Sequence, residues 1–187
     1  MKIVIIGSST GGPYILESIF KHFPVTSMAI IIVQHLPPTF TTVLKAHIAS
    51  LTHMPVKIVN DEDIVTEPHI YIAPAGKHVV LHHNRVFFLR DGEKVHGVRP
   101  AVDMTMLSIQ KRSEDTLMGI ILTGMGRDGA DGIFYLHKLG AITIAQDPKT
   151  APIKSMPQAA IETGEVDYIL TPDEIRQAMI SFSASFK

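Results

Sequence analysis

Lys2-Ile3-Val4-Ile5-Ile6-Gly7, followed at once by Ser8-Ser9-Thr10-Gly11-Gly12, decides the fold class. The first part is an apolar run without polar alternation, which suits a strand buried on both faces in a parallel sheet covered by helices. The second part is a turn rich in glycine and hydroxyls. Beyond it Ile15, Leu16, Ile19, Phe20 and Phe23 recur at helical spacing over 13–23. Strand, turn and helix make one βα unit, and the chain repeats it. Residues 28–33 read as a second buried strand. Residues 39–51 form a helix through Phe40, Val43, Leu44, Ile48 and Leu51. Further on, strand 118–122, helix 129–139 closed by Gly140, strand 141–145, a short helix near 157–163 and strand 166–170 continue the alternation. Thr171-Pro172-Asp173-Glu174 has an N-cap threonine, a proline at the first helical position and a glutamate at the third. This capping box starts a last helix striped by Ile175, Met179 and Phe182.

The middle of the chain reads differently. Residues 56–59, 69–73, 77–81 and 85–89 are short strands joined by tight turns, with His82-His83-Asn84 as a hairpin loop. A helix over 101–112 follows, with Val102, Met106 and Ile109 on one face. The expected architecture is α/β: a three-layer, doubly wound, mainly parallel sheet with a small antiparallel hairpin insertion at about 56–90. One domain is expected to span 1–187.

Composition narrows the chemistry. The 187 residues are 45% hydrophobic and 19% charged, which suits a packed core rather than a disordered chain. Seventeen basic and eighteen acidic residues give a net charge of −1, so no basic excess exists to grip nucleic acid or an anionic membrane. With no cysteine, a disulfide framework, a thiolate metal site and a cysteine nucleophile are excluded. The apolar run at residues 3–6 is too short for a signal peptide or a membrane span. A cytoplasmic protein is expected. The nine histidines other than His35 show no zinc-type spacing with carboxylates, so neither a metal nor a cofactor is expected.

In open parallel sheets the ligand site lies beyond the carboxyl ends of the strands. Three such ends carry useful side chains: Ser8-Ser9-Thr10 after the first strand, Gln34-His35 after the second, and Thr123 to Gly129, containing Asp128, after the strand at 118–122. A hydroxyl, an imidazole and a carboxylate can form a nucleophile, its general base and the group that orients the base. Each has a plainer reading. The hydroxyls can cap the first helix, His35 can be a satisfied core histidine, and Asp128 can favour the start of the following helix through the dipole. Together at one sheet edge they point to catalysis, subject to the strand order.

Two glycine motifs compete. Gly7 to Gly12 has phosphate-loop spacing, but Pro13 stands where the lysine belongs, and that reading is rejected. Gly124 to Gly129 matches G-x-G-x-x-G between a strand and a helix, and Asp147 lies where a ribose-binding acid would sit. Against a dinucleotide, Asp128 would face the pyrophosphate with only Arg127 to offset it. This non-catalytic nucleotide- or receptor-binding module is the alternative to an enzyme.

The same residues resemble a known family. Ile6 to Gly12 resembles the G-A-S-T-G-G nucleophile loop of the chemotaxis protein-glutamate methylesterases (CheB). Gln34-His35-Leu36-Pro37-Pro38 resembles their Q-H-M-P-P segment, and Leu122 to Ala130 their L-T-G-M-G-x-D-G-A segment. Tyr71 to Pro74, Arg99 to Asp103 and Met156-Pro157 also fall in the family's order, and the match runs from about residue 3 to about 170. The resemblance implies a Ser-His-Asp hydrolase with Ser9 as nucleophile, His35 as general acid/base and Asp128 as orienting carboxylate. Thr10 and Met125 flank the site, with backbone amides near them as oxyanion donors. The implied substrates are glutamate methyl esters on the cytoplasmic helices of chemoreceptors, with receptor glutamines as further targets for deamidation. The family's usual N-terminal receiver domain is not represented, which leaves a truncated chain and a free-standing form both open, with the receiver domain expected as separate or missing. Ser8 replaces the family's common alanine. On this reading Ser8→Ala removes only a capping hydroxyl worth about 1 kcal/mol, while Ser9→Ala removes acyl transfer.

Overall fold

The computed structural model describes residues 1–185. Its spine is one parallel sheet, buried through its centre and partly exposed at its two edge strands. β1 (Lys2–Ser8), β2 (Ala29–Gln34), β3 (Val56–Ile58), β4 (His69–Ile72), β7 (Thr116–Ile121), β8 (Ile142–Gln146) and β9 (Tyr168–Leu170) form one parallel sheet in the order β3-β4-β2-β1-β7-β8-β9. β5 (His78–Leu81) and β6 (Phe87–Arg90) pair antiparallel as a separate hairpin. The hairpin insertion is therefore narrower than the 56–90 span in which it is expected, because β3 and β4 extend the parallel sheet past β2.

The helices are α1 (Gly12–Phe20), α2 (Thr41–Leu51), α3 (Val102–Leu107), α4 (Ala130–Lys138), α5 (Ser155–Glu162) and α6 (Pro172–Ala184). Side chains alternate across a strand, and β1 sorts them cleanly. Ile3 and Ile5 join a core with Val102 and Met106 of α3, Ile133 and Leu136 of α4 and Met156 of α5. Val4 and Ile6 join the opposite core with Leu16 and Ile19 of α1, Ile48 of α2 and Ile175 of α6. Both faces are covered, which is why the strands read as continuous apolar runs. The capping box of α6 is formed as expected, Thr171 exchanging bonds with Glu174. α3 ends at Leu107 rather than near 112, because the Ser108 hydroxyl turns back to the Thr105 carbonyl and also accepts from the Leu81 amide.

From β1 the chain moves outward to β2, β3 and β4, then returns to the other side of β1 for β7, β8 and β9. The direction reverses at β1. Such a switch point opens a crevice at the carboxyl edge of the sheet, where ligands bind.

Candidate active site

The crevice is built by register. Ser8 pairs with Gln34, and Gly7 pairs with Ile121, so Ser9, His35 and Thr123 all lie just beyond the ends of three adjacent strands. The Ser9 amide donates to the Thr123 carbonyl at 2.9 Å, and the His35 amide donates to the Ser8 carbonyl at 3.0 Å. The three segments that carry the candidate triad are therefore neighbours in the β2-β1-β7 order.

Asp128 supplies the strongest contacts. Its carboxylate is 2% exposed. Oδ2 accepts from His35 Nε2 at 2.7 Å and from the Val102 amide at 2.7 Å, and Oδ1 accepts from the Asp103 amide at 2.9 Å. Two orphan amides at the start of α3 thus hold the carboxylate, and the carboxylate holds the imidazole. With Nε2 engaged by Asp128, Nδ1 is the ring nitrogen left to take a proton. Among the described residues the Ser9 hydroxyl makes no hydrogen bond, as is common for a nucleophile before substrate tightens the site.

Asp103 mirrors Asp128. It lies in the first turn of α3 and accepts from the Gly132 amide in α4 at 2.7 Å and from His96 Nε2 at 2.8 Å. Each aspartate thus caps the other's neighbouring helix. Burial pushes the Asp103 carboxyl above the usual carboxylate range, and the charge of Asp128 adds to this against the Gly132 amide. His96, Asp103 and Asp131 bring three potential ligand atoms within 4.8 Å of one another, a proximity that positions 96, 103 and 131 do not reveal in the sequence. Each of them already has a partner, Asp131 being paired with Arg127 at 3.0 Å.

The glycine-rich segment after β7 serves close packing. A Cβ at Gly124 would lie 2.6 Å from the Ser9 Cβ and 2.2 Å from Met156 Sδ. Thr123 stitches this segment to its surroundings: its amide donates to Gln146 Oε1, and its hydroxyl reaches the Thr10 carbonyl at 3.0 Å. Asp103 occupies the α4 amide that a pyrophosphate would use, and Asp128 is committed to α3 and His35, so nothing here favours the dinucleotide alternative. The expectation that Ser8 caps a helix is corrected. The N-cap of α1 is Gly11, with no side-chain cap bond, while Ser8 is fully buried and donates to Gln34 Oε1. Removing its hydroxyl strands a buried acceptor, which makes Ser8→Ala more costly than the loss of an exposed cap.

Thr10 is exposed and Met125 is 69% exposed at the rim. Their backbone amides have no acceptor among the described residues. A cleft of about 470 Å³ opens beside His35, with Leu36 and Pro37 on one wall and Lys94, Val98 and Arg99 on the other. Asp103, His96 and the cationic wall escape reasoning from strand ends alone, and so does the bonding role of Gln34, although the residue itself stands at a strand end. For Gln34 a signal exists, since it is the polar residue that ends a run of buried aliphatics.

Comparison with known proteins places this geometry. The family model for the CheB methylesterases matches residues 4–179. The chain is 43% identical over 181 residues to the protein-glutamate methylesterase/protein-glutamine glutaminase of Pyrococcus horikoshii, covering 95% of this chain and 49% of that relative. It is 36% identical over 183 residues to the Salmonella typhi protein of the same name, 96% of this chain and 52% of the other. It spans about half the length of the curated relatives it matches. The crystal structure of the Thermotoga maritima CheB methylesterase catalytic domain superposes with a TM-score of 0.89 at 39% identity, covering 96% of this chain and 97% of that one. A parallel sheet switching direction at β1, the ordered motifs and these matches lead to one assignment: the chain belongs to the CheB methylesterase family.

Proposed function

We propose that this chain hydrolyses carboxylic esters through an acyl-enzyme, with Ser9 as nucleophile, His35 as general acid/base and Asp128 as the orienting carboxylate. The observation that carries the reading is the buried Asp128 carboxylate, held by two α3 amides and bonded to His35 Nε2 on the strand next to that of Ser9. In the first half-reaction Ser9 Oγ attacks the ester carbonyl as its proton passes to His35 Nδ1. The tetrahedral oxygen is met by the amides of Thr10 and Met125. The C–O bond to the methoxy group then breaks, and the proton on Nδ1 leaves with it as methanol. In the second, water gives a proton to Nδ1 and attacks the acyl carbon. Ser9 recovers its proton and the carboxylic acid departs.

The relatives named above are protein-glutamate methylesterases and protein-glutamine glutaminases. We therefore take the substrate to be a glutamate methyl ester on a chemoreceptor's cytoplasmic helix, with glutamine amides as second substrates, and the site of action to be the cytoplasm. Among the described residues no helix is long and apolar enough to cross a membrane, which accords with this placement. Chemistry at an ester or amide carbonyl by these three side chains calls for no cofactor.

The test uses a helical peptide carrying glutamate γ-methyl esters. The parental chain should release methanol, and a serine-reactive fluorophosphonate should label Ser9. The Ser9→Ala chain should do neither, and a nicotinamide dinucleotide should not bind. Label on Ser8, methanol release by Ser9→Ala at the parental rate, or dinucleotide binding without turnover would each overturn the assignment.

A further inference from the structure

Gln34 is the last residue of β2, is 2% exposed, and pairs with Ser8 across the ladder. Its side-chain amide is the only polar group, among the described residues, that touches the backbones of both Ser9 and His35. Nε2 donates to the Ser9 carbonyl at 2.8 Å and to the His35 carbonyl at 3.0 Å. Oε1 accepts from the buried hydroxyl of Ser8. The amide is thereby satisfied on both sides, and its orientation is fixed: a flipped amide would aim its oxygen at two carbonyl oxygens and its NH2 away from them. Space for the group is reserved from the other side. At Gly12, the first residue of α1, a Cβ would lie 1.9 Å from Gln34 Oε1. Four segments, the end of β1, the nucleophile turn, the end of β2 and the start of α1, therefore meet on one amide.

We infer that Gln34 is a positioning residue that sets the placement of Ser9 relative to His35, and that Ser8 is the third anchor which removes the amide's remaining freedom in this chain. The inference rests on the esterase reading above. Its physical basis is that beyond the last ladder pair, Ser8 with Gln34, the backbone bonds run from His35 to Ser8 and from Ser9 to Thr123, and neither joins Ser9 to His35. The nucleophile and base lie one residue past that pair, and among the described residues the Gln34 amide is the group that links their two backbones. A drift of about 1 Å between reacting groups costs about 10²-fold in rate. Ser8 is a departure from the alanine of the family pattern, so the anchor from Oε1 is a feature of this sequence, whereas the two bonds from Nε2 need only the glutamine.

Gln34→Met keeps the length and burial and removes every hydrogen bond; Ser8→Ala removes only the third anchor. Both are compared with the full parental chain by near-ultraviolet circular dichroism, by the rate of fluorophosphonate labelling at Ser9, and by kcat and KM on the methyl-ester peptide. Gln34→Met should fold yet lose about 10- to 100-fold in both kcat and labelling rate, with KM within about twofold. Ser8→Ala should lose about two- to fivefold in the same two rates, and nothing further when combined with Gln34→Met, because the two act as one unit. A purely structural role would lower the melting temperature and leave the labelling rate of the folded protein at the parental value, and that result overturns the inference. If Gln34→Met does not fold, Ser8→Ala decides, and unchanged labelling overturns it. If the parental chain is not labelled at Ser9, the esterase reading fails and takes this inference with it. Parental labelling together with unaffected variants overturns the positioning role alone.

Discussion

Replacing Asp128 by asparagine is the most informative single change, because the structure makes it more than the neutralisation of a charge. Three donors converge on two carboxylate oxygens: His35 Nε2 and the Val102 amide on Oδ2, and the Asp103 amide on Oδ1. Asparagine offers one oxygen and one NH2. With its oxygen at the Oδ2 position it still receives two donors, but its NH2 faces the Asp103 N–H. With the oxygen at the Oδ1 position its NH2 faces the Val102 N–H and donates to His35 Nε2. The proton then sits on Nδ1, the nitrogen that receives the serine proton in the proposed mechanism. Either way one buried backbone amide at the start of α3 loses its acceptor, and a charge-assisted bond becomes a neutral one. An unsatisfied buried donor costs about 1–3 kcal/mol and the lost charge assistance about 1 kcal/mol, so destabilisation of about 2–4 kcal/mol is expected. In a domain of this size that lowers the melting temperature by about 4–16 °C. Ester turnover should fall by about 10⁴-fold, the scale seen when the orienting carboxylate of a serine triad is neutralised. Methanol release at a temperature where both proteins are folded, together with thermal melts, measures the two effects separately. Turnover within about tenfold of the parental value in a folded protein would remove Asp128 from the catalytic role. A parental melting temperature would show that the bonds to α3 contribute nothing.

Two further perturbations test neighbouring parts of the site. Gly124→Ala puts a Cβ 2.6 Å from that of Ser9, so Ser9 must move; turnover should fall about 10²-fold with the fold retained, and an unchanged kcat would refute the packing argument. Asp103 titrates above its ordinary value because it is buried and lies beside Asp128, with His96 and Asp131 also facing it. A raised folded-state value means that the folded protein holds the proton more tightly. The stabilisation is thus complete below the unfolded value of about 3.9 and is lost as pH rises through the raised one. The melting temperature of the parental chain relative to Asp103→Asn should accordingly fall as pH is raised across that interval, and a difference that is flat or rises with pH would refute it.

The sequence by itself determined the layers and the cast. Unbroken aliphatic strands such as 28–33 can be satisfied only with helices on both faces, and the Thr171–Glu174 capping box marks its helix without any tertiary information, because both signals are local. The candidate triad was equally legible as the polar residues that follow buried strands. Strand order was not, since β1 pairs on one side with β2, 26 positions along, and on the other with β7, 114 positions along, and no periodicity records which strands lie side by side. The antiparallel appearance of 56–90 misled for the same reason: a short apolar run looks alike in a hairpin and at the edge of a parallel sheet, and only packing beside β2 decides between them. Ser8 shows the limit most clearly. Next to Ser9, the proposed nucleophile, in sequence, it reads as a helix cap, yet β1 continues through it and turns its hydroxyl into the core. Which of two adjacent serines is buried and which is left free is set by the pleat of a strand and the glutamine across the ladder, and that arrangement exists only once the sheet has formed.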